Sequence, residues 1–218
     1  MSAQRFSGQP LSALRRFVQL PAQEAAVEKC EMCSQQLAPG HRHVVNLDTR
    51  SLMCTCPACY LLFTQAGAAQ GKYKAVPARY LRLPAVELTA DKWEALRIPV
   101  GMAFFFYNSR LGRVTGFYPS PAGATESMLA LESWRELACA DAAIDAMEPD
   151  VEALLVRRGR EGGFECFLVP IDACYELTGI VRRRWRGFDG GEDARRDIDA
   201  FFDALREKSR AADEAHLP

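Results

Sequence analysis

Apolar positions in this chain fall into short runs broken by turn residues, and the most apolar run is Val100 to Tyr107, VGMAFFFY. It is too short to cross a membrane and rich in aromatics, which predicts a central buried strand. Asn108 to Gly112 supplies a turn, and Arg113 to Tyr118 returns as the strand's partner. Val151 to Arg157 and Phe164 to Val169 form a second predicted hairpin, joined by the polar RRGREGG. Helical spacing then takes over. Ile171 to Trp185 carries Ile171, Cys174, Tyr175, Thr178, Val181 and Trp185 on one face, and Glu192 to Lys208 turns Ile198, Phe201, Phe202 and Leu205 inward. Earlier in the chain, Leu11 to Leu20 and Ala22 to Lys29 are short helical stretches. Thr89 reads as the N-cap of a helix reaching Leu96. Tyr73 to Leu83 is extended, and Pro77 and Pro84 restrict any strand there to an edge. Met128 to Met147 reads as one or two helices ended by Pro149. Adjacent hairpins with segregated helices predict an α+β fold built on an antiparallel sheet.

The loop YPSPAGATES, Tyr118 to Ser127, precedes a predicted helix start. Its hydroxyls, Ser120, Thr125 and Ser127, together with helix-start amides, are a possible anion cradle. A plain loop with an N-cap is the preferred reading, because the Gly-rich phosphate fingerprint is missing.

The periodic pattern does not account for Cys30 to Phe63, which holds five of the eight cysteines and two of the three histidines. Cys30/Cys33 and Cys56/Cys59 are paired Cys-x-x-Cys knuckles separated by 22 residues. That spacing matches a structural zinc site with four thiolates. Between the knuckles, His43 to Leu47 and Ser51 to Cys54 read as strands around the turn Asp48-Thr49-Arg50, and Tyr60 to Ala66 reads as a helix. Knuckle, hairpin, knuckle, helix is the order of a treble-clef or zinc-ribbon-like module. The metal ligands expected are Cys30, Cys33, Cys56 and Cys59. Cys54 lies two residues from Cys56 on a strand, so it is a rival for the same position, and its plainer role is a packed thiol. His41 and His43 are weaker substitutes. Iron is disfavoured because Ser34 and Tyr60 stand where rubredoxin-like knuckles usually carry glycine. A site filled by four thiolates has no position for water or substrate, so the metal argues for structure. The expected organisation is an N-terminal helical segment (1–29), a zinc-binding module (30–70) and a larger α+β domain (71–218).

Composition narrows the function. The net charge of −1 and pI near 6.3 supply no basic footprint for nucleic acid. The N-terminal MSAQRFSGQPLSALRRF has no secretory signal pattern, and paired knuckles suit a reducing cytoplasm. Cys139, Cys166 and Cys174 are expected to be buried. No nucleophile–base set stands out. Asp172, Glu176 and Glu126 are carboxylates available for acid–base work, but nothing singles them out.

Three stretches, the block ending CTCPACYLLF, the run PVGMAFFFYNS followed by FYPSPAGATES, and PIDACYELTGIVRRRWRGF, together resemble an uncharacterised bacterial family. That family is associated with actinobacterial-type nickel–iron hydrogenase gene clusters. The resemblance implies an accessory role in maturation, assembly or protection of the hydrogenase, adds support to the four cysteine ligands, and carries over no catalytic residue. The leading expectation is a zinc-stabilised interaction protein docking onto a hydrogenase subunit or maturation factor. His41, Arg42, His43 and Arg50 would then be exposed hairpin groups that meet the partner. The alternatives are an enzyme using the α+β domain and a thiolate-iron electron carrier.

Overall fold

The computed structural model describes residues 28–84, 86, 88–127, 142–159, 162–187 and 190–211. Among them are five α-helices and two sheets. The first sheet is β1 (Arg42–Asn46), β2 (Ser51–Thr55) and β3 (Tyr73–Ala75), ordered β2-β1-β3 and antiparallel throughout. The second is built from β4 (Leu81–Arg82), β5 (Met102–Asn108), β6 (Arg113–Ser120), β7 (Gly123–Ser127), β8 (Glu152–Arg158), β9 (Phe164–Pro170) and β10 (Arg210–Ala211). Its order is β10-β4-β9-β8-β5-β6-β7, and only the β10–β4 pair is parallel. The helices are α1 (Pro57–Leu61), α2 (Ala90–Ala95), α3 (Ala142–Asp145), α4 (Ile171–Arg184) and α5 (Gly191–Lys208). The expected helix at 11–20, most of those at 22–29 and 128–147, and Cys139 lie outside the described residues; Lys29, at the end of the second, forms an isolated β-bridge with Gln36.

The apolar run at Met102–Asn108 is unbroken because both faces of its sheet are covered. Ala103 and Phe105 face one core with Leu154, Val156, Cys166 and Leu168, closed over by Trp93 of α2 and its C-cap Leu96. Phe104 and Phe106 face the other with Ala153, Leu155, Phe167 and Val169, closed over by α4 and α5 through Cys174, Leu177, Val181, Ile198 and Phe202. Full burial of each large side chain here stabilises by about 1.5–3 kcal/mol. Leu177 takes the inward place on α4, whereas Tyr175, expected inside, is 40% exposed. Gly190, at φ +87, starts α5 against Trp185, whose ring a Cβ would meet at 2.9 Å.

Thr89 caps α2 as its sequence predicts, its side chain accepting from the Lys92 amide. The segment Tyr118 to Ser127 differs from its expectation. It is the β6–β7 hairpin and not a loop, and Ser127 pairs with Gly116. The Ser120 hydroxyl serves the turn, donating to the Gly123 carbonyl (2.9 Å) and lying 2.9 Å from Thr125 Oγ1. The Ser120 and Thr125 hydroxyls are therefore committed to the hairpin, and the Ser127 hydroxyl donates to the Arg97 carbonyl (3.4 Å), so none of the three is free to cradle an anion. Proline and glycine mark a tight turn as readily as a long loop, which is why the sequence pattern misleads here.

The knuckle segment packs directly on this body. Its sheet draws its third strand from Tyr73–Ala75, beyond residue 70, and Val45 and Val76 enter the same core as α4 and α5. Farther along, Arg79 grips Glu152, which is 1% exposed, through Nε to Oε1 (2.8 Å) and Nη2 to Oε2 (2.5 Å). The Glu148 amide donates to the same carboxylate at 2.8 Å. This pair fixes the link between the two sheets to the start of β8. Removing one partner strands a buried charge, so Arg79→Met is expected to lower unfolding free energy by about 3 kcal/mol in urea titrations. The double variant Arg79→Met/Glu152→Met should recover most of that loss, because two apolar partners leave no orphaned charge.

Candidate metal centre

The first knuckle is a tight turn set by backbone bonds. The Cys30 amide donates to Gln35 O (2.7 Å), the Ser34 amide to Cys30 O (2.8 Å), and the Leu37 amide to Glu28 O (2.9 Å). Ser34 sits at φ +64, the left-handed conformation that glycine adopts freely and a serine enters at a cost of roughly 1–2 kcal/mol. The absence of glycine at this position therefore does not prevent an iron-type knuckle turn. The second knuckle follows β2 directly. Cys56 precedes α1, Pro57 occupies its first turn, and the Tyr60 amide donates to Cys56 O at 2.9 Å. Proline at that position starts the helix at residue 57, and it ends at Leu61, so most of the expected span Tyr60 to Ala66 is turn and bend instead.

A two-way clamp brings the knuckles together. The Glu31 amide donates to Cys54 O (2.9 Å), and the Cys54 amide donates to Glu31 Oε1 (2.7 Å). With the first knuckle tied to the end of β2, the sulfurs of Cys30, Cys33, Cys56 and Cys59 all lie within 4.8 Å of one another. Cys30 and Cys56 are buried, Cys59 is half-buried and Cys33 is exposed. The thiols are free, and Cys33 and Cys56 sulfurs stand 3.7 Å apart, far beyond a disulfide bond. Sulfurs each about 2.3 Å from a central ion in a tetrahedron stand about 3.8 Å apart, so this spacing fits a metal ion.

The electrostatics of the cluster also favour a cation. Burial alone would raise the Cys30 thiol, but amides of Cys56, Met32 and Cys33 donate to its sulfur and bring it down to about 6. Burial and the neighbouring sulfurs push Cys59 up to about 12. At Cys33 the Gln35 amide lowers the thiol, yet the Cys30 and Cys56 sulfurs raise it further. One thiolate is stable here and additional ones repel it. A bound cation relieves that repulsion and displaces the remaining protons.

Cys54 is not part of the four-sulfur group. It pairs across the hairpin with His43, and its sulfur lies within 4.8 Å of the ligand nitrogens of His41 and His43 in a separate cluster. The two histidines, expected to be exposed, are drawn inward. Their side chains are 10% and 21% exposed, while Arg42 and Arg50 remain at the surface. His43 Nδ1 lies 2.8 Å from Asp172 Oδ2 on α4, a pairing 129 residues apart that no local pattern reveals. Glu126 pairs with Arg113 at 3.2 Å and so serves the β6–β7 hairpin. Cys166 and Cys174 are core residues, and burial pushes the Cys166 thiol up to about 12.

The fold and site thus define a mixed α+β protein with a four-cysteine cluster able to hold a metal ion, compatible with a zinc module. Residues 29–209 match DUF5947, a family of unknown function, and the chain belongs to that family. No curated protein and no solved structure matches it. Among the described residues no helix is long and apolar enough to cross a membrane.

The geometry separates the roles of neighbouring cysteines. Cys59→Ser is expected to lose any tightly held metal on dialysis against a chelator and to melt at a clearly lower temperature. Cys54→Ser should keep that metal. Elemental analysis with thermal denaturation checks both, and equal metal loss in the two variants would place Cys54 in the four-thiolate centre.

Proposed function

We propose that this chain is a non-catalytic accessory protein whose Cys30, Cys33, Cys56 and Cys59 hold a structural zinc ion in a treble-clef-like module. The observation that carries this reading is the convergence of four sulfurs within 4.8 Å of one another, a donor set that fills every position of a zinc ion. A small segment whose own cluster contains little beyond Cys30, Leu37 and Cys56 gains rigidity from such an ion that its core does not supply. Immediately after the second knuckle, α1 and its C-cap present Leu61 and Leu62, each 66% exposed. Two adjacent exposed leucines on a metal-fixed turn suit docking onto another protein with little ordering cost.

The partner we propose is a subunit or maturation factor of a nickel–iron hydrogenase, working in the cytoplasm. Support for that identity comes from the resemblance of the three sequence stretches; the family match itself carries no function. Nucleic acid is disfavoured by the net charge of −1. A second reading, a thiolate-iron electron carrier, is favoured by one observation: the first knuckle has the left-handed turn at Ser34 and amides donating to the Cys30 sulfur. Zinc protein is colourless and iron protein strongly coloured, so the visible spectrum of anaerobically purified chain separates the two.

A deletion strain is expected to assemble less hydrogenase with unchanged transcripts, and tagged protein should recover a hydrogenase component. The double variant Leu61→Ser/Leu62→Ser should keep its metal and lose that component. Normal hydrogenase activity in the deletion strain, with no such component recovered, would refute the partner.

A further inference from the structure

The hairpin carries a second cluster of metal-ligating side chains that shares no residue with the four-thiol centre. His41 and His43 are two apart in sequence, and His43 and Cys54 are cross-strand partners, so all three side chains emerge on one face of the hairpin. Their ligand atoms lie within 4.8 Å of one another.

Each imidazole is already oriented from behind. His43 Nδ1 lies 2.8 Å from the Asp172 carboxylate, and His41 Nδ1 lies 3.3 Å from the Ala38 carbonyl. The Glu28 carboxylate is also near His41 Nδ1, at 3.5 Å. Both partners of the Nδ1 atoms are acceptors, so in the neutral rings the protons sit on Nδ1 and the lone pairs on Nε2. Holding one ring nitrogen with a carboxylate or carbonyl is how proteins aim the other at a metal.

Among the described residues, two buried side-chain polar atoms lack a hydrogen-bond partner: His41 Nε2 and Asp172 Oδ1. Both belong to this corner. A buried acceptor without a donor is costly, and a cation at the His41 Nε2 lone pair would remove the cost.

We propose that His41, His43 and Cys54 form a second transition-metal site, with Asp172 as a positioning residue behind His43. Two imidazoles and one thiolate suit a late first-row divalent ion such as Zn2+ or Co2+, and they exclude Mg2+ and Ca2+, which take oxygen donors. Three protein ligands leave the fourth position free. His41 and His43 line a groove of about 610 Å³ together with Tyr80, Asp172, Glu176 and Lys208. Water or a small anion completes the set at that fourth position. This site therefore exchanges its ion and ligand more readily than the closed four-thiol centre.

The test uses the full chain, purified anaerobically and carrying zinc in its four-thiol centre, titrated with Co2+ against a weak competing chelator. The expected result is one further Co2+ per chain, with visible bands of tetrahedral cobalt, a thiolate charge-transfer band, and two hyperfine-shifted imidazole N–H protons in the NMR spectrum. Cys54→Ser should abolish the charge-transfer band, and His41→Ala and His43→Ala should abolish uptake, with tightly held zinc retained in all three. Asp172→Asn should weaken Co2+ by about 10–100-fold while leaving the cobalt bands in place. No uptake by the zinc-loaded wild-type chain, no shifted imidazole protons, or uptake unchanged in the histidine variants would overturn the proposal. A chain purified without zinc but still showing the shifted imidazole protons would contradict the four-thiol reading while leaving this one intact.

Discussion

Four sulfurs gathered within 4.8 Å cannot all be thiolates without a positive charge among them, and that constraint organises the first half of this molecule. The gathering depends on a small clamp: Glu31 and Cys54 exchange two hydrogen bonds, tying the first knuckle to the strand that delivers the second. That strand belongs to a hairpin whose turn is closed by Asn46, its side chain accepting from the Asp48 and Thr49 amides at 3.0 and 3.2 Å. Val45 on the same hairpin enters the core beneath α4. The cluster is thus joined to the seven-stranded sheet through packed side chains, and its shape is coupled to that of the whole body.

The cysteines of the knuckle segment divide between two neighbouring clusters. Cys56 leaves the strand to join Cys30, Cys33 and Cys59. Cys54 pairs across the hairpin with His43 while packing against Cys30 and Cys56. The division explains how two cysteines separated by one residue can have different partners: Thr55 ends β2, its hydroxyl donates to the Arg42 carbonyl at 3.0 Å, and Cys56 then turns away. The closed donor set suits permanent structure. The open set on the histidine face suits an exchangeable ion, so one short segment combines a fixed scaffold with a labile site.

Much of the sheet was legible from the sequence because its signals are local. VGMAFFFY is continuous where a strand is buried on both faces, and the polar RRGREGG marks a hairpin. Thr89 caps a helix by its own side chain. The paired knuckles point to the sulfur cluster for the same reason, since two residues on each tight turn are set by spacing alone. Long-range contacts left no such signal. Nothing near His43 announces Asp172, and the inward turn of His43 goes with its bond to α4, while His41 lies against the Ala38 carbonyl and the His43 ring. YPSPAGATES shows the opposite failure, a local signal satisfied by two structures, where strand pairing with β6 decided the outcome. Glycine is dispensable at the first knuckle because Ser34 adopts the left-handed conformation itself, whereas Tyr60 after the second knuckle is helical.

The central claim is that Cys30, Cys33, Cys56 and Cys59 jointly bind zinc. X-ray absorption at the zinc edge, on the full chain dialysed to retain only tightly held metal, tests it most directly. The account predicts a single shell of four sulfurs at about 2.3 Å. A shell containing nitrogen or oxygen at about 2.0–2.1 Å, or iron in place of zinc, would contradict it.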